Sequence, residues 1–164
     1  MSKLTSLSAL GALALATLIS GWLVLAMPGR AEAQTVTVHK TPWCGCCSAW
    51  ASHLRKEGFD IVIREQEDLA PVRARLGVPD ALRSCHTGEV DGYAIEGHVP
   101  AREIRKLLDE RPDAHGLSVP GMPIGSPGME AGGRVDAYQV LLIGEDGHET
   151  YASYPDISAQ TSEE

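Results

Sequence analysis

Thr35-Val36-Thr37-Val38-His39-Lys40-Thr41-Pro42-Trp43-Cys44-Gly45-Cys46-Cys47-Ser48 is the stretch on which the fold turns. Thr35 to His39 is rich in β-branched residues and predicts a first strand. The cysteine loop follows Thr41-Pro42-Trp43. Ser48 to Glu57 then predicts a helix, with Trp50 and Leu54 four apart on one face and Gly58 marking its stop.

Working outward, Phe59 to Ile63 predicts a second strand. Leu69 to Leu76 predicts a second helix, ended by Gly77 and Pro79. Ser84-Cys85-His86-Thr87-Gly88 reads as loop, and Tyr93-Ala94-Ile95 as a short strand. Pro100 opens a third helix, with Ile104, Leu107 and Leu108 as its apolar stripe. Residues 116–133 are dense in Gly and Pro, which fits either an ordered or a flexible long loop. Tyr138 to Ile143 is a strong strand, Gly144-Glu145-Asp146-Gly147 a turn, and Glu149 to Tyr154 the hairpin partner. No internal repeat is present. The first part is a βαβ unit, which favours parallel pairing with a right-handed crossover. The expectation is an α/β fold: a small mixed sheet flanked by helices, with an insertion before the C-terminal hairpin. A cysteine motif that ends the first strand and opens the first helix is the thioredoxin arrangement.

The chain has 164 residues, which suits one domain. Aromatics make up 5%, so the core must rely on Val, Leu, Ile and Ala. A formal charge of −8 argues against nucleic acid as a partner, because phosphate backbones need clustered Lys and Arg. Lys3, an uncharged run from Leu4 to Gly29, and Ala31-Glu32-Ala33 form the pattern of an export signal cleaved after Ala33. An uncleaved membrane anchor is the alternative, since the run is long enough to span a bilayer. The expected organisation is a signal over residues 1–33, one metal-binding domain over 34–157, and a polar tail over 158–164.

Export would place the four cysteines in an oxidising compartment, where two structural disulfides are usual. The spacing opposes that, because Cys44, Cys46 and Cys47 are too close together to staple distant parts of the chain. Cys44 and Cys47 form a C-x-x-C pair at a helix start, where free N–H groups and the helix dipole favour thiolate. Cys46 is the departure from a simple redox pair. Three soft thiolates in one loop suit Cu(I), Ag(I) or Zn(II), and Gly45 lets the loop turn tightly.

Cys85-His86 is the second element, with Cys85 either a further ligand or a disulfide partner of the cluster, and His86 either a ligand or a surface histidine. Met122 and Met129 are the third, in Val119-Pro120-Gly121-Met122-Pro123-Ile124-Gly125-Ser126-Pro127-Gly128-Met129. Thioether sulfur favours Cu(I), though methionine also fills gaps. By the order of elements, Met122-Pro123 stands where thioredoxin-like folds carry a cis-proline, which predicts a cis bond with Met122 beside the sulfurs. His39 could reach the site, and His98 stands at a helix start where capping or packing would explain it.

Taken together, Lys40 to Cys47, Ser84 to Thr87, Tyr93 to Pro100 and Val119 to Met129 resemble the CopG-like family of bacterial copper-resistance proteins. The resemblance implies a periplasmic protein with a thioredoxin-like fold and a cysteine-bridged cluster of several copper ions. It would make Cys44, Cys46 and Cys47 bridging thiolates and Cys85 a further sulfur. The expected function is copper binding in resistance or homeostasis, holding Cu(I) or Cu(II) and cycling between them. Silver is a second candidate cargo, and other periplasmic copper-handling proteins are candidate partners. Two other readings remain open: a thiol-disulfide oxidoreductase using Cys44 and Cys47, and a zinc-stabilised module. No catalytic residue is assigned.

Overall fold

In a computed structural model of the protein, residues 33–156 are described. The export signal and the polar tail expected from the sequence fall outside that range, Ala33 excepted. Strand β1 (Thr35–Lys40) leads through Thr41 to Cys44 into helix α1 (Gly45–Lys56), and strand β2 (Asp60–Glu65) follows. Helix α2 (Ala70–Arg75) comes next, then a 3-10 turn at Asp80–Leu82 and a hairpin of β3 (His86–Val90) and β4 (Tyr93–Glu96). Helix α3 (Ala101–Glu110), strand β5 (Gly116–Ser118) and a second hairpin of β6 (Tyr138–Gly144) and β7 (Gly147–Tyr154) complete the order.

Helix α1 begins three residues earlier than the pattern predicted, because Cys44 takes an extended conformation at its N-cap and releases the chain into the helix at Gly45. Its last turn carries His53, Arg55 and Lys56, which complement the negative end of the dipole. Gly58 terminates it with a φ of +89°.

The described strands form one mixed sheet in the order β2-β1-β3-β4-β5-β6-β7. Strands β1 and β2 pair in parallel, as the βαβ reading required. Strand β3 then runs antiparallel to β1, and β4 antiparallel to β3. Two strands were missed in the sequence. His86–Val90 read as loop because it is polar and holds Gly88, yet most of it is buried. Gly88 is no stop: a Cβ there would press on Trp50, Ile95 and Val36 at 3.2–3.3 Å. Strand β5 has only three residues.

Two apolar clusters fill the two faces. One joins Trp50 and Leu54 of α1 with Ile104 and Leu107 of α3, over Val36, Val38, Ile95, Leu117 and Val140. The other joins Val72 and Leu76 with Leu82, Ala94 and Ile143. Adjacent strand residues point to opposite faces, so Ala94 and Ile95 show that α1 and α3 share one face while α2 covers the other. The core rests on aliphatics with a single central tryptophan, whose Nε1–H donates to the Val99 carbonyl at 2.8 Å.

The Gly- and Pro-rich segment is an ordered loop. Ser126 Oγ donates to the Pro123 carbonyl at 2.7 Å, Met129 N–H to Ser126 at 2.8 Å, and Gly125 N–H to Met129 at 3.0 Å. It lies directly on α1 at Gly128, where φ is +84° and a Cβ would stand 2.6 Å from the Trp50 nitrogen. Every described peptide bond is trans, Met122–Pro123 included. The cis expectation took the C-terminal hairpin for the one that completes the sheet beside β1. That hairpin is β3–β4, and the segment leading into it is Ser84-Cys85.

Gly128→Ala should cost about 1–3 kcal/mol, since the side chain both strains the backbone and overpacks helix α1. Gly45→Ala, in a first turn with nothing within 4 Å, should be neutral or stabilising by up to about 1 kcal/mol. Urea unfolding of the two variants tests the contrast.

Candidate metal centre

Sheet geometry gathers the site. Lys40, the last residue of β1, pairs with His86, the first of β3. In an antiparallel pair, the residue before one strand lies beside the residue after the other. Cys85 therefore stands at the edge where the chain leaves β1 for the cysteine loop. Thr87 pairs with Glu96, and Gly97 N–H donates to the His86 carbonyl at 3.0 Å, which brings His98 to the same edge.

Cys44 and Cys47 are joined by a disulfide, with Cα atoms 5.5 Å apart. Cys46 and Cys85 are free thiols. Cys44 Sγ lies 3.5 Å from Cys46 Sγ, and Cys46 Sγ lies 3.8 Å from Cys85 Sγ. All four sulfurs fall within 4.8 Å of one another. Cys85 belongs to a second group as well, since its sulfur is 3.3 Å from His86 Nδ1 and 3.1 Å from His98 Nε2. Cys85 is thus not a disulfide partner but the shared member of a sulfur half and an imidazole half.

His86 and His98 are both fully buried. The His86 ring lies 4.3 Å from that of Trp50 and meets His98 edge-on at 5.1 Å. Its Nε2 is buried without a hydrogen-bond partner, a cost of about 1–3 kcal/mol that cores ordinarily avoid. His98 is better determined. A carbonyl oxygen only accepts, so the 2.8 Å contact with Pro127 puts the proton on Nδ1. In the neutral ring the Nε2 lone pair then faces Cys85, the outer-partner arrangement that orients metal-binding histidines.

Burial drives the His86 imidazole well below its usual 6.5, and His98 beside it pushes the same way. Burial also lowers His98, against the Pro127 hydrogen bond. The Cys85 thiol is pushed up to about 12, by burial first and by Cys46 second. These groups are neutral at pH 7, and a cation placed among them would be the charge that lets Cys85 ionise.

The structure therefore brings together Cys44, Cys46, Cys47, Cys85 and His86 from the expected set. Met122 is 52% exposed, and Met129 is half-buried in the loop whose Pro127 carbonyl holds His98. His39 lies 3.7 Å from Glu89 and outside both groups. His98 was undervalued in the sequence, where its place before Pro100 suggested a helix start. The signal for it was a Gly-His step just after a strand whose partner opens with Cys85-His86.

Two solved structures of copper resistance protein CopG, Form 1 and Form 2, are each 49% identical to this chain, with a TM-score of 0.72. Each comparison covers 76% of this chain, and 100% of Form 2 or 99% of Form 1. The chain belongs to the CopG family. Residues 82–129 also match the family described as Protein of unknown function, DUF411. That match spans Cys85, His86, His98 and the loop through Met129, and stops short of Cys44 to Cys47. No match was found among curated proteins.

The buried imidazoles of His86 and His98 bind protons more readily once the chain is unfolded. Stability should be fully present above pH 6.5 and fall as pH drops below it, by up to about 1.4 kcal/mol per pH unit for each histidine. His86→Leu should remove one such contribution. Urea unfolding between pH 5 and 7 reads the slope, and an unchanged slope would mean that His86 takes up protons equally in the folded and unfolded chain.

Proposed function

We propose that this protein is an exported copper-resistance protein that holds Cu(I) as cargo at the junction of Cys46, Cys85 and His98. The observation that carries the reading is one edge of the sheet where four sulfurs and two neutral imidazoles converge on Cys85. Soft thiolates with imidazole suit Cu(I), and silver shares that preference. The names of its relatives point to the same cargo. Sheet order β2-β1-β3-β4, with α1 after β1 and α3 after β4, supports placing the fold among thioredoxin-like ones.

Full loading needs the Cys44–Cys47 disulfide opened. A dithiol reductant would supply two electrons and two protons, leaving itself oxidised to a disulfide, and the two released thiols would join Cys46 and Cys85. Cys44, Cys46, Cys47 and Cys85 would then hold the copper, and cycling it between Cu(I) and Cu(II) would need an external one-electron acceptor and donor. Placement in the periplasm rests on the signal pattern in the sequence. No described helix is long and apolar enough to cross a membrane.

The disulfide at the start of α1 favours a second reading, a thiol-disulfide oxidoreductase. Cys46 separates the two. Under the copper reading, the reduced chain reconstituted without oxygen binds at least about one Cu(I), and Cys46→Ser weakens binding by about tenfold or more. Chelator competition measures both. Less than about one copper per folded chain, with turnover of a disulfide substrate that survives Cys46→Ser, would replace the first reading with the second.

A further inference from the structure

We propose that Arg73 and Glu96 are positioning residues for Cys85, a buried ion pair that clamps the Ser84–Cys85 peptide so that the Cys85 sulfur stands against Cys46 and His98. The inference rests on reading that sulfur edge as a metal site.

Glu96 is fully buried at the end of β4, and Arg73 reaches it from α2 with 12% of its side chain exposed. Arg73 Nε donates to Glu96 Oε1 at 3.0 Å, and Nη2 lies 2.9 Å from the same oxygen. Thr87 Oγ1 donates to Glu96 Oε2 at 2.6 Å. The other bonds of the pair go to Ser84. Its N–H donates to Glu96 Oε1 at 2.7 Å, and its carbonyl accepts from Arg73 Nη2 at 2.7 Å. That carbonyl belongs to the peptide bond that carries Cys85. One charged pair therefore holds both ends of Ser84. Neither member belongs to the groups that could hold an ion.

The chemistry is costly for mere support. The Glu96 carboxylate is wholly enclosed and the Arg73 side chain nearly so, so both charges are largely withdrawn from water. A buried ion pair can be replaced by apolar side chains with little or no loss of stability. Apolar groups could not bond the Ser84 N–H and carbonyl, whose hydrogen bonds to the pair are partly shielded from water. The guanidinium is suited to this because its fork reaches Glu96 and Ser84 at once, which a lysine ammonium does less well. On the far side, Gly97 closes the space, since a Cβ there would meet the Ser84 hydroxyl at 2.5 Å. Cys85 leads into β3 from a fixed peptide, and its sulfur inherits that precision. Outer partners of this kind are worth about 10- to 100-fold in metal affinity.

With the Cys44–Cys47 disulfide intact, the only free thiols are Cys46 and Cys85, so iodoacetamide alkylation followed by mass spectrometry reads each separately. Arg73→Lys and Glu96→Gln should raise the ratio of Cys85 to Cys46 alkylation rates by roughly tenfold, and Thr87→Val by roughly fivefold. In the reduced chain, Arg73→Lys and Glu96→Gln should weaken Cu(I) binding by about 10- to 100-fold in anaerobic chelator competition. An unchanged ratio in folded variants overturns the proposal, as does a rise shared equally by both thiols, the mark of general destabilisation. If the two charge variants do not fold, Thr87→Val decides by the same ratio. If the unmodified reduced chain binds no Cu(I), the copper reading fails while the thiol ratio still tests the clamp.

Discussion

The pairing of Lys40 with His86 is the constraint on which the rest depends. It sets β3 antiparallel to β1 with no offset between the end of one and the start of the other. The chain leaving β1 enters the cysteine loop, and the chain arriving at β3 comes through Cys85. A shift of one residue would turn every β3 side chain to the other face and carry Cys85 away from the cysteine loop. The register is held from the core side, because Val36 and Val38 must stay on the face that Trp50 and Leu54 cover. Burying four apolar side chains of this size contributes several kcal/mol, at about 1.5–3 kcal/mol each. The site's geometry is therefore a consequence of core packing.

The same edge is electrically quiet. Its imidazoles are driven neutral and its shared thiol is held protonated. Water reaches neither imidazole to stabilise its charged form, since His86 and His98 are wholly enclosed. A soft cation would supply what the enclosure withholds, by accepting the His98 lone pair and offsetting the charge of a deprotonated Cys85. The Gly- and Pro-rich loop completes the enclosure and orients His98 through the Pro127 carbonyl. Gly128 lets that loop touch the backbone of α1. Ligand orientation and helix packing thus rest on one ordered segment, which explains how a stretch without regular structure can serve a precise site.

Much of this was legible in the sequence because it follows from period and punctuation. The Thr-Val alternation of β1, the Trp50–Leu54 face, Gly58 as a stop and the C-terminal hairpin all stand where pattern placed them. Strand β3 was invisible for a physical reason. Thr87 is buried through its hydrogen bond to Glu96 and His86 against the rings of Trp50 and His98, so hydrophobic period could not register them. Missing β3 displaced the search for the group opposite the cysteine loop. It fell on Met122-Pro123 when the sheet puts Cys85 there. His98 was lost to the same gap, since its nearness to Cys85 passes through the β3–β4 pairing and not through sequence spacing.

Within the motif, Cys46 does what neither neighbour can. Cys44 and Cys47 lie one helical turn apart at the start of α1, close enough to bond to each other, and when they do they withdraw two sulfurs from any ligand set. Cys46 lies between them in sequence yet faces Cys85 across the gap at 3.8 Å. It stays a free thiol while the pair is oxidised. The edge is then left with two thiols and two imidazoles, and reduction of the pair would double the number of thiols. A disulfide beside a thiol that stays free, all anchored to one strand register, is why the redox and metal-binding readings of the motif rest on a single piece of geometry.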